Sequence, residues 1–388
     1  MNSASPRLLL RLAVALVGLF AFLQVYAPQA VLPVLMDDLW ATEVQAGLAV
    51  GATVFGVALM SPFMGMLSDA LGRKGLIVGS LLFLAAPTAL LAQSGSIETM
   101  MLLRFLQGLA VPGITVVLIA YIGEEFSGRA MTLLMSLYVS GTVLGGFLGR
   151  FLLGHLNEFI GWRQAFYVMA VLCAAGALFV WRQLPASRNF TAKPHFQTAL
   201  QTLLGHLHNR NLLAACLLGA CVLFSLVGCF TYINLHLAAA PYFLGSGALA
   251  NLFAVYLIGM AITPLSAKVI SRFGSRRAVL MAVGLSMAGV SVTQFSPLLA
   301  VITGLALMSS GVFITQAATI SYIAANVKEG RSLASGLYYM AYYGGGTVGA
   351  WLCGVAYAYG EWRSVSLVLL LVQAAALWIA AKGMAKAV

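Results

Sequence analysis

Charged residues are scarce in this sequence, and acidic residues are the scarcest. Of 388 residues, 21 are Lys or Arg and 10 are Asp or Glu, which is 8% of the chain, against roughly a quarter in a soluble domain. The stretch from Ala278 to Val327 contains no Asp, Glu, Lys or Arg, and as a helix it would be about 75 Å long, more than two bilayer cores. This scarcity excludes a water-soluble globular protein and indicates a chain surrounded by lipid.

The sequence also lacks the patterns of a disulfide framework, a metal site or an enzyme. Its five cysteines lie inside apolar runs without CxxC spacing, which is typical of small packing residues. Neither a nucleophile elbow, an HExxH motif nor a phosphate-cradling loop is present, so we expect no catalysis, no metal and no cofactor. The net charge of +11 is dispersed among apolar runs, and nucleic-acid binding is therefore not expected.

Apolar sequence takes the place of all these features. The chain is 61% hydrophobic and has a mean hydropathy of +0.97. The first run, from Leu12 to Met36, follows two arginines as in a signal peptide, but it is long enough to span a membrane and is interpreted as a retained helix. The charge-free stretches predict an all-α membrane protein with twelve transmembrane helices near residues 12–36, 46–67, 75–96, 100–122, 131–153, 164–182, 211–235, 247–267, 278–295, 299–324, 333–356 and 364–381.

The distribution of basic residues predicts the topology. With twelve helices and a cytoplasmic N-terminus, 17 of the 21 Lys and Arg residues fall on the cytoplasmic side, and four remain: Arg104, Arg150, Arg163 and Arg363. Positively charged flanks stay cytoplasmic. We therefore expect a multi-pass protein of the bacterial inner membrane with both termini in the cytoplasm, monomeric, with the lipid bilayer as its surroundings.

A polar stretch from Arg182 to Arg210 falls midway between the two sets of six helices. It predicts a first bundle over residues 1–183, a cytoplasmic linker over 184–210 and a second bundle over 211–388. Leucines recur at helical spacing after Phe196, which leaves open either a short helix on the membrane surface or a solvated connector.

An internal repeat runs through the whole chain at an offset of 200 to 202 residues. A duplicated six-helix unit predicts two pseudo-symmetric bundles with a solute pathway at their interface. The matched positions keep one order along the chain: Ser61-Pro62 with Thr263-Pro264, Gly72 with Gly274, Gly128-Arg129 with Gly330-Arg331, Gly145, Gly146 and Gly149 with Gly345, Gly346 and Gly349, and Trp162-Arg163 with Trp362-Arg363.

The most specific local motif lies between the second and third predicted helices. The segment Gly65-Met-Leu-Ser-Asp-Ala-Leu-Gly-Arg-Lys74 resembles the G-x-L-x-D-x-x-G-R-K/R signature of the major facilitator superfamily, and this resemblance implies that family's twelve-helix fold. Glycines permit a tight turn, and an arginine can bridge to carboxylates. In the family this loop latches the two halves in one state, so the resemblance implies a latch made of Gly65, Asp69, Gly72, Arg73, Lys74, Glu124, Glu125 and Arg129.

The resemblance also suggests how this latch works. Asp69 would contact the second half, and Arg73 would pair with Glu124 or Glu125. The repeat-related loop has Ser271 where Asp69 stands, which predicts a one-sided latch. A loop that is charged only to set the topology is the alternative.

Two further segments carry arginines within apolar runs. Arg104-Phe-Leu-Gln107-Gly108 resembles the family's R-x-x-Q-G pattern, in which the arginine faces the cavity and is linked to proton coupling. The glycines Gly141, Gly145, Gly146 and Gly149, followed by Arg150, are similar to the G-x-x-x-G-P-x-x-G-G pattern of antiporter members, with the Pro and the last Gly replaced. Either arginine could face a cavity or extend to the membrane interface.

Together with Glu124-Glu125, Trp162-Arg163 and Leu184-Pro-Ala-Ser-Arg-Asn-Phe190, these motifs are similar to the YnfM-type branch of bacterial efflux permeases. The resemblance implies secondary active transport of a small solute by alternating access, with proton-coupled efflux. An uncoupled uniporter remains the main alternative. A membrane enzyme or receptor would lack the repeat and the loop signature, and a channel would be distinguished by flux without alternating access. Because the second half is poor in charge, we expect an amphipathic solute.

Polar and aromatic side chains inside apolar runs are candidates for lining the cavity. The candidate solute-binding residues are Gln24, Tyr26, Tyr138, Tyr232, Asn234, Tyr256, Gln316, Tyr339, Tyr342 and Tyr343. Proton coupling needs a titratable group, and none of the ten acids lies at a predicted mid-membrane depth. Asp37 and Asp38 are the leading candidates, His155 and His236 weaker ones, and acids that merely fringe a helix end are the alternative.

Overall fold

The computed structural model describes residues 7–187, 208–327 and 331–384. Only the backbone is described at nine of these positions, namely Gly65, Met66, Asp69, Gly259, Met260, Thr263, Pro264, Arg331 and Ser332. Helices are the regular elements of these ranges, and no β-strand occurs in them. The α-helices are α1 (Leu8–Leu23), α2 (Leu32–Leu39), α3 (Glu43–Leu71), α4 (Arg73–Leu91), α5 (Ile97–Glu125), α6 (Gly128–Gln183), α7 (Arg210–Ala238), α8 (Ser246–Leu252), α9 (Leu257–Val292), α10 (Leu298–Asn326) and α11 (Arg331–Gly383), with 3₁₀ turns at Ala27–Val31 and Phe253–Tyr256.

The prediction of an all-α membrane protein is confirmed. Seven of the described helices are long and apolar enough to cross a membrane, and the pair α1 and α2, bent by 46°, makes an eighth. Helix α6 has 56 residues and would be about 84 Å long if straight, so it is long enough for two crossings. The predicted twelve crossings correspond to reading α6, α9 and α11 as two spans each, divided at backbone breaks.

At each break between two spans the chain leaves helical dihedral angles. Two of these breaks occupy matched positions of the repeat. Gly72, between α3 and α4, has φ 91° and ψ 163°, and its repeat partner Gly274, inside α9, has φ 77° and ψ 158°. A side chain at either angle would be strained, so both positions favour glycine. The other breaks are at Gly161 in α6 and at Gly360-Glu361 in α11.

Glycine also sets the packing inside each half. In α6, a Cβ at Gly141, Gly145 or Gly149 would overlap the carbonyl oxygens of Ala15, Leu19 and Leu23 of α1, respectively. In the second half, Gly345 and Gly349 of α11 meet the backbone of Ala220 and Phe224 of α7 in the same way. The sequence repeat is therefore also a repeat of helix contacts, in which small residues let two backbones approach closely.

The prediction of one continuous helix over residues 12–36 is wrong. Helix α1 ends at Leu23, a 3₁₀ turn follows, and α2 begins at Leu32. Pro28 and Pro33 stand in the first turn of the 3₁₀ and α2 segments, where a missing N–H costs least. The break exposes backbone carbonyls in the membrane interior, and these need donors from elsewhere.

Buried apolar side chains form two clusters. One is made of residues from Leu10 to Leu184, and the other of residues from Leu212 to Met384 together with a few from the first three helices and Val111 of α5. We call α1–α6 the first half and α7–α11 the second half. Most of the predicted linker, residues 188–207, and the surface helix after Phe196 lie outside the described residues.

Candidate functional site

Loops alternate between two sides of the molecule. We name them the Trp40 side, after the α2–α3 loop, and the Gly72 side, after the α3–α4 turn. Near the Trp40 side, six residues join the halves, namely His155, Asn157, Glu158, Ser246, Gly247 and Asn251. Asn157 Nδ2 donates to Ser246 Oγ at 3.0 Å, and the Gly247 N–H donates to a Glu158 carboxylate oxygen at 2.8 Å. His155 and Asn251 hydrogen-bond at 3.1 Å.

Tyr232 of α7 adds a contact at the same side. Its hydroxyl donates to the carbonyl oxygen of Ala350 at 2.6 Å and lies 3.4 Å from that of Glu43, in the first half. It occupies a slot whose walls are Gly47 of α3 and Gly354 of α11, where any Cβ would collide with the ring. Predicted as a solute contact, Tyr232 is fully buried in the seam between the halves.

Arg150 lies at the centre of the interface between the halves and is only 1% exposed. Its guanidinium carbon is 4.8 Å from the ring centroid of Tyr26, 4.4 Å from that of Phe253 and 4.6 Å from that of Tyr256. The last two rings belong to the second half. Such cation–π contacts contribute about 2 kcal/mol each when desolvated. Arg150 therefore does not extend to the membrane interface.

The hydrogen bonds of Arg150 use part of its donor set. Nε donates to Gln29 Oε1 at 2.8 Å, and Nη1 donates to the Gly146 carbonyl at 2.5 Å. Gln29 in turn donates to Thr231 Oγ1 at 2.9 Å, which links the halves again. Within the described residues no Asp or Glu pairs with Arg150, and its electrostatic neighbours are Tyr256 and Tyr26. An intramembrane cation is held here by rings and amides.

Arg104 of α5 is also fully buried, but its surroundings differ. It donates to the carbonyl of Gln24 at 2.6 Å, to that of Val25, and to Ala49 O of α3 at 3.2 Å. Its Nη1 also bonds Gln107 Oε1 at 2.7 Å. The carbonyls of Gln24 and Val25 are those exposed where α1 ends. Arg104 thus satisfies the broken backbone of the first span rather than reaching the interface.

A set of tyrosines from both halves lies between Arg150 and the Gly72 side. Consecutive turns of α11 supply four rings whose centroids lie 5.2–6.3 Å apart, namely those of Tyr338, Tyr339, Tyr342 and Tyr343. Tyr138 of α6 is an electrostatic neighbour of Tyr339, and Tyr26 is one of Tyr342 and Tyr343. We call Tyr26, Tyr138, Tyr339, Tyr342 and Tyr343 the tyrosine wall.

The remaining candidates for lining the cavity, Gln24, Asn234 and Gln316, lie in different surroundings. Gln24 donates to Met169 O at 3.3 Å, and Asn234 donates to Phe230 O at 2.6 Å. Both are buried, and each keeps a side-chain oxygen without a hydrogen-bond partner among the described residues. Gln316 of α10 is half-buried, one turn from Phe313, whose ring packs on Tyr256 at 5.9 Å.

The candidate coupling acids lie on the surface. Asp37 and Asp38 are both exposed at the end of α2, and Asp38 accepts a hydrogen bond of 2.6 Å from Trp162 Nε1. The candidate histidines are partly buried: His155 contacts Asn251, and the ring of His236 packs 6.1 Å from that of Trp362. No described acid lies in the interior next to Arg150.

Of the predicted latch residues, Arg73 and Glu124 are in contact at the Gly72 side. Arg73 forms a two-pronged ion pair with Glu124, with Nε–Oε2 3.0 Å and Nη2–Oε1 2.5 Å, and also donates to Ser68 Oγ. Arg73 is 6% exposed and Glu124 32%. Glu125 is buried, Lys74 is half-buried and Arg129 is exposed. At Gly65 and Asp69 only the backbone is described.

Comparison with known proteins decides the family. A family model described as Major Facilitator Superfamily matches residues 14–250, more than half of the chain. The inner membrane transport protein YnfM of Escherichia coli strain K12 is 30% identical over 371 residues, which cover 95% of this chain and 88% of that protein. This chain belongs to the Major Facilitator Superfamily. The resemblance read from its motifs is confirmed.

Further similarities agree with membership of the Major Facilitator Superfamily. An uncharacterized transporter of Buchnera aphidicola subsp. Schizaphis graminum is 29% identical over 362 residues, covering 93% of this chain and 88% of the relative. A crystal structure of the nucleoside transporter NupG superposes with a TM-score of 0.80 at 16% identity, covering 96% of this chain and 99% of that one. The superposition shows the fold, and the family makes this multi-pass membrane protein a transporter of a small-molecule solute rather than an enzyme.

Several residues of this Major Facilitator site were missed by sequence reasoning. Gln29 and Phe253 hold Arg150, and Asn157 and Ser246 join the halves, but none was a candidate. A signal for Gln29 was present: it stands 202 residues before Thr231, within the offset of the repeat, and equivalent positions meet on a pseudo-two-fold axis. Phe253 carried no such signal, because an aromatic ring in an apolar helix is unremarkable.

Proposed function

We propose that this Major Facilitator Superfamily protein exports a small amphipathic solute by alternating access, in exchange for protons. The observation that carries the proposal is the Arg150 cluster, in which a buried cation is shared by rings of both halves. A polar centre between two repeated bundles is where a transporter of this architecture holds its solute.

The direction of opening follows from the charges and the contacts together. Because Lys and Arg residues concentrate on loops of the Gly72 side, we assign that side and both termini to the cytoplasm. The hydrogen bonds of Asn157 and Glu158 across the seam then close the outer side. In this state the solute site would communicate with the cytoplasm, which suits the loading step of an exporter.

The tyrosine wall favours an amphipathic solute. Its rings give apolar contact area, and each hydroxyl can donate or accept a hydrogen bond. We assign Tyr26, Tyr138, Tyr256, Tyr339 and Tyr342 to solute contact, with Gln316 at the edge. Gln24, Tyr232 and Asn234 are proposed to act through the helices they hold.

Proton coupling has an alternative, uncoupled uniport, which is supported by an observation of its own. The glycines of α6 are similar to those of antiporters, and Asp37 and Asp38 could exchange protons at the outer surface. Uncoupled uniport is favoured instead by the interior, where no described acid accompanies Arg150. Both mechanisms use the same solute site.

We assign the latch to the Gly65–Lys74 loop with Glu124, Glu125 and Arg129, and propose that Asp69 contacts the second half when the cytoplasmic side closes. The two-pronged Arg73–Glu124 ion pair supports this, since it fixes the loop to α5 in the first half.

One experiment tests the proposed function and separates its two mechanisms. A thermal-shift screen of purified protein across sugars, cationic drugs and organic anions selects a solute, because a ligand that binds the folded state raises the apparent stability. Proteoliposomes containing a pH-sensitive dye then report flux of that solute. Saturable flux is expected, with proton movement that is blunted by the double substitution of Asp37→Asn and Asp38→Asn.

Three other outcomes would change the proposal. Saturable flux without proton movement identifies a uniporter. Proton movement that the double substitution leaves untouched removes the two carboxylates from the mechanism. Flux that does not saturate and shows no stimulation by solute on the opposite side indicates a channel and contradicts alternating access.

A further inference from the structure

Arg150 brings to the central site a buried positive charge and a hydrogen-bond donor that the described residues leave unused. Arg150 is 1% exposed, and water does not compensate a cation that is buried within a membrane-spanning segment. Among the described residues its hydrogen bonds leave Nη2 unused, and its electrostatic neighbours are tyrosines rather than carboxylates. Arg104, by contrast, uses all three of its guanidinium nitrogens on protein oxygens.

We infer that the solute is a small organic anion, whose anionic group pairs with Arg150 and whose apolar body lies against the tyrosine wall. This inference rests on the proposed transport function and narrows its solute class. A guanidinium presents a planar fork of donors that matches a carboxylate or phosphate. The hydroxyls of Tyr26 and Tyr256, the rings of which flank Arg150, are further donors to the same anion.

The position of the anion follows from what surrounds Arg150. The outer side is closed by α8, where Ser246 and Gly247 hold Asn157 and Glu158, and the rings of Phe253 and Tyr256 cover the second-half face of the guanidinium. The tyrosine wall lies on the opposite side: its member Tyr26 contacts Arg150 and has Tyr342 and Tyr343 as electrostatic neighbours. The anionic group therefore points toward Arg150, and the body of the solute toward the cytoplasmic side.

This site also links the anion to the movement of the halves. Two of the three rings on Arg150 come from the second half, so the cation binds the halves together while it lacks an anion. An anion that takes up the charge weakens the attraction between the guanidinium and those rings, because the attraction depends on the cation's field. Binding of the solute thereby loosens the outer seam.

The test compares anions with uncharged molecules of the same shape. The probes are benzoate with benzamide, 1-naphthoate with 1-naphthamide, and cyclohexanecarboxylate with cyclohexanecarboxamide, each titrated against purified protein by thermal shift. For the wild type, the acid of at least one pair is expected to bind at least tenfold more tightly than its amide. Arg150→Gln is expected to abolish that preference, and Arg150→Lys to weaken it, since one ammonium cannot replace the fork.

The matched control is Arg163→Gln, because Arg163 also combines a ring contact with carbonyl acceptors but lies at the Trp40 side. This variant should keep the preference of the wild type. If Arg150→Gln does not fold, the comparison of acid with amide in the wild type still tests whether the solute is an anion. Amides that bind as well as acids, acids that do not bind at all, or a preference that survives in Arg150→Gln would overturn the inference. Saturable flux of an uncharged solute in those cases would leave the transport function standing.

Discussion

Two buried arginines show how one residue type takes two roles in the same protein. Arg104 bonds backbone carbonyls at Gln24, Val25 and Ala49, and so acts as a support for the break between α1 and the 3₁₀ turn. Arg150 bonds one backbone carbonyl, that of Gly146, and is otherwise surrounded by rings and the Gln29 amide. The number of fixed acceptors separates a structural cation from one that is available to a ligand.

The role of Arg104 predicts that substitution by lysine is not conservative. Arg104→Lys keeps the charge but places a single nitrogen among acceptors on α1, α3 and α5, so some carbonyls of the break lose their donor. We expect a loss of about 3 kcal/mol in unfolding free energy. Thermal unfolding in detergent measures the effect. Arg163→Lys, at the Trp40 side, is the control and should shift stability by less than about 1 kcal/mol; equal losses in both variants would refute the supporting role.

The sequence singled out Arg104 and Arg150 as candidates for the transport site, but it could not choose between a cavity and the membrane interface. That choice depends on partners distant along the chain. The acceptors of Arg104 arise because α1 ends at Leu23. Pro28 and Pro33 in the apolar run were a signal for a break near that end, but the prediction did not use it. Phe253 and Tyr256 reach Arg150 only through the packing of the two halves.

At the scale of helices, the repeat was predictable because it rests on glycines with strict steric requirements. Gly72 and Gly274 share one backbone conformation, and Gly145 and Gly345 make equivalent contacts. The helix breaks were harder to foresee, since a polar residue in an apolar run does not reveal whether the helix continues. The broken first span was therefore predicted as straight.

Neighbouring glycines in α6 offer a sharp test of this packing. Gly145→Ala places a methyl group on the carbonyl of Leu19, a backbone atom that cannot turn aside, and so pushes α6 from α1. Gly146→Ala meets only the Arg150 Nη1 atom at 3.6 Å, an ordinary contact. We expect Gly145→Ala to lower the unfolding free energy by about 2 kcal/mol and Gly146→Ala to leave it nearly unchanged. Thermal unfolding of the two variants in detergent measures the difference; similar stabilities would show that the close approach of α1 and α6 contributes little.

For the whole molecule, the prediction concerns the seam at the Trp40 side. Asn157 and Ser246 are hydrogen-bonded at 3.0 Å across the two halves, so a pair of cysteines there can be bridged. Asn157→Cys with Ser246→Cys, cross-linked by a short bifunctional reagent, should arrest transport in proteoliposomes, and reduction of a cleavable linker should restore it. The single-cysteine variants are the controls. The five native cysteines are buried or half-buried, so the reagent should act on the introduced pair. Transport that continues in the cross-linked protein would contradict opening at this seam.

The same pair of cysteines reports on the latch. If Asp69 holds the cytoplasmic side closed in the alternate state, Asp69→Asn shifts the population toward the state described here and raises the cross-linked fraction. Membrane insertion should be unaffected. An unchanged fraction together with normal transport would rule out the latch.

The hydrogen bond between Gln29 and Thr231 has a mechanical consequence. The two residues are 202 positions apart, within the offset of the repeat, and touch each other at 2.9 Å, so they stand near the axis that relates the halves. When two bodies rock against each other, points near the axis of rotation are displaced least. This contact is suited to be the pivot of the movement. The distance between Gln29 and Thr231 should therefore stay the same in a structure opened on the Trp40 side, while Asn157 and Ser246 move apart.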